Sequence, residues 1–187
     1  MKEEMENILE EDVVVWFPAI SSIEDEGIRN GCIQSFIKAF NKGGWNKETV
    51  ESCPVSITKV KNQALNNQIE HTNIVTKLAV SMYQMLEEAY SNDSQLKDII
   101  MAGALLHDVG KFTEFKYFET GVGYSETADL MRHPLGGAII ASEAGLPDSV
   151  VHIIATHSFE GQNSFESIAS AIVKYADEIA FKYIRAF

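Results

Sequence analysis

Leu105-Leu106-His107-Asp108-Val109-Gly110-Lys111 closes an apolar run with an imidazole and a carboxylate side by side, followed by a glycine and a cation. On a helix, neighbouring side chains diverge by about 100°. A His-Asp pair therefore serves one ion, or two neighbouring ions, only where the helix end faces a cavity. His107 offers a neutral nitrogen donor and Asp108 two oxygens, a donor set suited to a divalent metal. Gly110 reads as a helix C-terminal residue, and Lys111 stands a turn beyond the pair, placed to meet an anion. The alternative is a helix end whose polar residues face water, and the rest of the chain decides between the two.

A chain of 187 residues fits one domain with a substantial core. Hydrophobic residues make up 45% and charged residues 22%, the balance of a soluble globular protein. The net charge of −12 argues against a surface for long nucleic acids, which needs clustered Lys and Arg. Cys32 and Cys53 are the two cysteines, read as reduced, buried thiols. No apolar run is long enough to span a membrane, and the acidic start Met1-Lys2-Glu3-Glu4-Met5-Glu6 lacks the apolar core of a signal peptide. A cytoplasmic location is the expectation.

Helical periods dominate the chain. Residues 1–12 read as a short acidic helix or a frayed end, and Val13-Val14-Val15-Trp16-Phe17-Pro18 as buried irregular packing rather than a strand. Ile28, Cys32, Ile33, Phe36, Ile37 and Phe40 predict an amphipathic helix over roughly 24–41, ended by Gly43-Gly44. Asn67-Gln68-Ile69-Glu70 has a capping-box pattern and launches a long helix whose inward face reads His71, Ile74, Val75, Leu78, Met82, Met85, Leu86. After a turn at Ser91-Asn92-Asp93-Ser94, a helix over roughly 95–109 carries Leu96, Ile99, Ile100, Gly103, Ala104 and His107 on one face. Residues 111–132 form a mixed stretch, long enough to be a functional loop or lid. His133-Pro134 opens the next helix and Gly145 ends it; Pro147-Asp148 starts another that runs to His157. A second capping-box pattern, Asn163-Ser164-Phe165-Glu166, predicts the start of the last helix, with Ile168, Ala169, Ile172, Val173, Ala176, Ile179, Ala180 and Ile184 in the core. Asp177 lies within that apolar face, where a carboxylate needs a partner or a metal.

His71, His107, Asp108, His133, His157 and Asp177 thus fall at helix termini or on core faces. With the segments Glu70-His71-Thr72, Leu106-His107-Asp108-Val109-Gly110-Lys111, His133-Pro134-Leu135-Gly136, Ala155-Thr156-His157-Ser158 and Tyr175-Ala176-Asp177-Glu178, their order resembles the HD-domain metal-dependent phosphohydrolases over roughly residues 67–181. The resemblance implies an all-α helical bundle with a metal site at its centre. It divides the chain into an N-terminal helical extension, 1–66, packed on the core and an HD domain, 67–187. It implies that His71, His107, Asp108 and Asp177 hold one metal and that His133 and His157, with Asp108 bridging, hold a second. Single-metal relatives lack the counterparts of His133 and His157. Asp108 and Lys111 are the expected catalytic residues, Lys111 contacting a substrate phosphate. His152 matches no motif position and is assigned to the surface or to packing.

Two divalent ions about 3.5–4 Å apart can share a hydroxide and clamp a phosphoryl group. Mixed His and carboxylate donors favour Mn, Fe, Co, Ni or Zn. The leading expectation is hydrolysis of a phosphomonoester or phosphodiester of a small, anionic, nucleotide-type substrate. The same ligands also resemble those of HD-type di-iron oxygenases that cleave C–C or C–P bonds, for which Tyr117, Tyr124 and Glu126 could cover the site. A non-catalytic nucleotide or metal sensor is the third reading. Glu160, in Ser158-Phe159-Glu160-Gly161, is either a pocket residue that orients substrate or water or a solvated loop acid, the second being preferred; Glu114 and Glu126 are weaker candidates still. The region before His71 lacks the histidines that some nuclease-like relatives carry there, which counts against exonuclease activity.

Overall fold

The computed structural model describes residues 7–90 and 94–187. Its helices are α1 (Glu10–Trp16), α2 (Glu26–Gly43), α3 (Gln68–Tyr90), α4 (Ser94–Leu106), α5 (Lys111–Glu114), α6 (His133–Glu143), α7 (Asp148–Thr156) and α8 (Ile168–Ala186). The architecture is the all-α one read from the sequence. One small antiparallel hairpin, β1 (Phe115–Phe118) and β2 (Gly121–Tyr124), breaks the long stretch after α5.

Helix α4 is the axis of the molecule, packed against α2, α3, α7 and α8. The small Gly103 makes this possible, since a Cβ there would sit 2.6 Å from Ile153 Cδ1 of α7. Val75, Ala79, Ile100, Ala104, Ile153, Ile172, Val173 and Ala176 fill the α3–α4–α7–α8 core. A second core runs from α1 and α2 to the turn after α4: Phe17 stacks on Phe36 at 3.9 Å, and Phe112 meets Phe40 edge-on at 4.7 Å. The Trp45 indole N–H donates to the Phe112 carbonyl at 2.6 Å. Asp98 of α4, 3% exposed, accepts hydrogen bonds from the Glu24 and Asp25 amides. The segment that leads into α2 is thereby fastened to the N-terminal half of α4.

The structure corrects several local expectations. Val13–Trp16 is helical, because Glu10, Glu11 and Asp12 supply an acidic first turn and Asp12 accepts the Leu9 amide. Tertiary burial of Val13 and Phe17 then outweighs β-propensity. On α3 the buried stripe is His71, Thr72, Val75, Thr76, Ala79 and Tyr83, whereas Ile74, Met85 and Leu86 are exposed. The buried face of α8 is likewise narrower, with Ile168 and Ile179 exposed. Helix α8 starts after Ser167, whose hydroxyl accepts the Ser170 amide; Glu166 pairs with Lys174 instead of closing a capping box. Asn67 does cap α3, accepting the Glu70 amide at 3.0 Å. Gly44, in the left-handed region at φ 73°, ends α2. Both cysteines are buried and free. Among the described residues no helix is long and apolar enough to cross a membrane. The acidic start, residues 1–6, and the turn residues 91–93 lie outside the described residues.

Candidate metal centre

Helix α4 stops at Leu106, and His107–Gly110 continue as hydrogen-bonded turns, with Val109 N bonded to Leu106 O and Lys111 N to Asp108 O. This departure from α-geometry lets adjacent His107 and Asp108 face the same point. Gly110 is not a left-handed cap: its φ is −66°. It is small because α6 presses on it, the His133 carbonyl lying 2.1 Å from where a Cβ would stand.

The fold brings all six candidate ligands together. Asp108, 2% exposed, divides its oxygens between two groups. Its Oδ1 faces His133 Nε2 at 3.4 Å and His157 Nε2 at 3.5 Å. Its Oδ2 faces His107 Nε2 at 3.4 Å and His71 Nε2 at 3.7 Å. Asp177 Oδ1 completes the second group, 2.9 Å from His71 Nε2 and 3.7 Å from His107 Nε2. Within each group, one atom from every residue lies within 4.8 Å of the others.

The hydrogen bonds assign the tautomers of three rings. His107 Nδ1 meets the Ala104 carbonyl at 2.7 Å, and His157 Nδ1 meets the Ile154 carbonyl at 2.8 Å. A carbonyl can only accept, so both rings carry the proton on Nδ1. His133 Nδ1 donates to the Glu114 carboxylate at 3.0 Å. In the neutral ring each Nε2 therefore turns a lone pair toward a carboxylate oxygen. Acceptor facing acceptor in a buried site is repulsive without a cation between them. His107 Nε2 has no hydrogen-bond partner among the described residues, as expected of an atom that awaits an ion. The donor set fits divalent transition metals.

The electrostatics agree. Burial opposes charge on Asp108, yet Lys111 and His107 hold its carboxyl well below the usual range. Burial likewise opposes charge on Asp177, but His71 and His107 keep it at about 2. Burial lowers the pKa of His71 and His133, favouring the neutral rings that bind metals. His107 moves the other way: burial lowers it, but Asp108 and Asp177 outweigh burial and raise it, so the two carboxylates favour a cation at Nε2, a proton in the metal-free ring or a metal ion in its place.

Lys111 Nζ lies 2.7 Å from Asp108 Oδ2 and donates to the Val55 carbonyl at 2.8 Å. The centre opens into a cavity of about 630 Å³ whose lining includes Lys59, Lys111, Lys174, Tyr124, Phe159 and Phe181. Tyr117 and Glu126 do not line it. His152 stands outside the centre, its ring 6.0 Å from Phe165.

The sequence gives Gln68 no functional reading, and it ranks Glu114 and Glu160 below what the structure shows of them. Gln68 donates to Asp108 Oδ2 at 3.1 Å. Glu114, 2% exposed, binds His133 and Arg132. Glu160 is not simply a solvated loop acid: it accepts from Arg132 at 3.3 Å and from the Ser158 hydroxyl, and it borders the cavity. Burial acts against its charge, but these hydrogen bonds bring its pKa down to about 2. A Glu three residues after Lys111 was the one available signal for Glu114.

A sequence model of the HD domain matches residues 69–182, well over half of the chain. The chain belongs to the HD-domain family. This HD domain is also similar to the dihydroneopterin 2',3'-cyclic phosphate phosphodiesterase of Methanocaldococcus jannaschii, with 34% identity over 133 residues, 70% of this chain and 52% of that protein. The matched part of the HD chain spans about half the length of that relative. No solved structure matches it.

Proposed function

We propose that this HD domain is a metal-dependent phosphohydrolase acting on a small, anionic, nucleotide-type substrate, with a cyclic phosphodiester as the first substrate to test. The observation that carries the reading is the ring of Nε2 lone pairs turned toward the two oxygens of Asp108. His71, His107, Asp108 and Asp177 would hold one divalent ion; Asp108, His133 and His157 would hold a second. Such ions supply an activated water near neutral pH and neutralise charge on phosphate oxygens.

The protein's own groups account for the rest. Asp108 would serve both ion positions, since its two oxygens face different groups of ligands. The carbonyls of Ala104 and Ile154 keep His107 and His157 in the donor tautomer. Lys111 brings a point charge to the mouth of the centre, suited to a non-bridging phosphate oxygen. Lys59 and Lys174 place further positive charge around an otherwise acidic chain, and Phe159, 78% exposed, offers an aromatic face at the rim. Hydrolysis adds water across one P–O ester bond: the water oxygen joins phosphorus, and the leaving alkoxide takes up a proton. The relative's name, a phosphodiesterase of a cyclic phosphate on a heterocyclic substrate, supports trying that class first. A cavity of about 630 Å³ accommodates a substrate of that size, and the chain's acidity disfavours a long nucleic acid.

The test is turnover of a 2',3'-cyclic nucleotide and of an aryl phosphodiester by Mn-loaded protein, wild type against Asp108→Ala. Hydrolysis lost in the variant is the expected result. Absence of hydrolysis from a fully loaded wild-type protein, across both probes and an aryl phosphomonoester, would overturn the reading.

A further inference from the structure

Three histidines of the centre solve the same problem in two different ways. His107 and His157 lie just past the C-terminal ends of α4 and α7, where helix carbonyls have no partners within the helix. Each ring takes the carbonyl three residues back, from Ala104 and Ile154, and its Nδ1 proton is fixed locally. His133 is instead the first residue of α6. A helix N-terminus exposes N–H groups and offers no spare carbonyl, so the acceptor for its ring must come from elsewhere in the chain.

Glu114, at the end of α5, is that acceptor. Its Oε2 takes both the His133 backbone N–H at 2.7 Å and the ring Nδ1–H at 3.0 Å. Its Oε1 takes the Arg132 guanidinium, which also reaches Glu160. Burying an ionised carboxylate costs several kcal/mol unless its lone pairs are filled. Among the described residues, Arg132 and His133 supply the hydrogen bonds that the Glu114 carboxylate accepts. One side chain thus caps α6 and sets the ring that the helix presents.

We infer that Glu114 is a positioning residue that fixes His133 in its Nδ1–H form, aims Nε2 at Asp108 Oδ1, and so builds the second metal position. The inference rests on the two-ion reading for its metal consequence, but not for the tautomer. Residues that orient metal-bound histidines are typically worth about 10–100-fold in metal affinity or activity. The first ion position, made by α3, the α4 turn and α8, shares Asp108 with the second but contains neither His133 nor Arg132, and serves as an internal control.

The experiment is long-range ¹H–¹⁵N NMR of the metal-free protein, followed by Mn²⁺ titration by calorimetry, for wild type, Glu114→Gln and Glu114→Ala. In wild type His133 is expected in the Nδ1–H form. Glu114→Ala is expected to shift it toward Nε2–H while His107 and His157 keep their Nδ1 protons, which also certifies that the variant is folded. The second Mn²⁺ equivalent should weaken about 10–100-fold and the first remain unchanged. Glu114→Gln retains one acceptor oxygen and should preserve the tautomer and most of the second affinity. A wild-type tautomer in Glu114→Ala, or an unchanged second equivalent, would overturn the inference. So would equal losses in the two variants. A wild-type chain that binds only one ion would refute the two-ion reading, and the His133 tautomer would then test Glu114 by itself.

Discussion

Gly110→Ala separates two accounts of the His107–Lys111 turn by the sign of its effect. The Gly110 backbone, φ −66° and ψ −17°, is open to any residue. If the glycine mattered only as a flexible link, alanine would stabilise the fold by about 0.4–1 kcal/mol by restricting the unfolded chain. The packing says otherwise. The added Cβ would lie 2.1 Å from the His133 carbonyl oxygen and 2.7 Å from Gly137 N, both backbone atoms that cannot rotate away. Contacts under 3.0 Å are essentially never tolerated, so the start of α6 must retreat by about 0.9 Å. Overpacking of this kind costs about 1–3 kcal/mol. Set against the entropic gain, the middle of the two ranges gives a net loss of about 1.3 kcal/mol, or about 3–5 °C in Tm for a chain of this length. The retreat also carries His133 away from Asp108, and a displacement near 1 Å is enough to cost about 100-fold in rate. Differential scanning calorimetry and turnover of a cyclic phosphodiester read both effects. A Gly110→Ala protein as stable as wild type, or more so, would refute the packing argument and return the residue to the role of a simple helix end.

Three further outcomes follow from the same structure. Asp98→Ala removes the buried carboxylate that accepts from the part-buried Glu24 and Asp25 amides and should cost about 1–3 kcal/mol, read by urea unfolding; a change within error would mean that the first segment is held by its apolar contacts alone. Mn²⁺ at 100 times its Kd should stabilise the wild-type protein by about 2.7 kcal/mol, seen as a rise in Tm that His107→Ala largely abolishes. Glu160 has a folded pKa of about 2 against an ordinary 4.5, so its bonds to Ser158 and Arg132 contribute stability that is fully present above pH 4.5 and is lost as pH falls toward 2. The stability difference between wild type and Glu160→Gln should therefore be constant near neutrality and vanish across that acidic window; a difference that persists at pH 2 would show that the loop does not depend on the carboxylate.

How far the sequence could be read follows from what each signal encodes. His71, His107, Asp108, His133, His157 and Asp177 stood out because polar, metal-binding side chains at helix ends and on apolar faces are costly without a shared purpose. Helix periods placed α2, α3, α6, α7 and α8 to within a few residues. The misses have local causes. The Val13–Trp16 run looks β-like in isolation, and only its acidic first turn and its burial against α2 make it helical. Gly110 carries the residue type of a cap, but its reason is contact with α6, far along the chain. Glu114 and Gln68 reach the centre by way of a hairpin lead-in and a helix start, and no periodicity reports a contact made across 19 or 40 positions. Exposed Ile74, Met85, Ile168 and Ile179 were assigned to the core because hydropathy marks an apolar residue without saying how wide the buried stripe is.

The most direct measurement is the number of Mn²⁺ equivalents bound per chain, in wild type, His157→Ala and Asp177→Ala, by calorimetry with elemental analysis of the loaded protein. The account expects two equivalents in wild type and one strongly bound equivalent in each variant, the ion lost being a different one in each. A wild-type chain that cannot be loaded with any of Mn, Fe, Co, Ni or Zn, or one whose uptake is unchanged by either substitution, would contradict it.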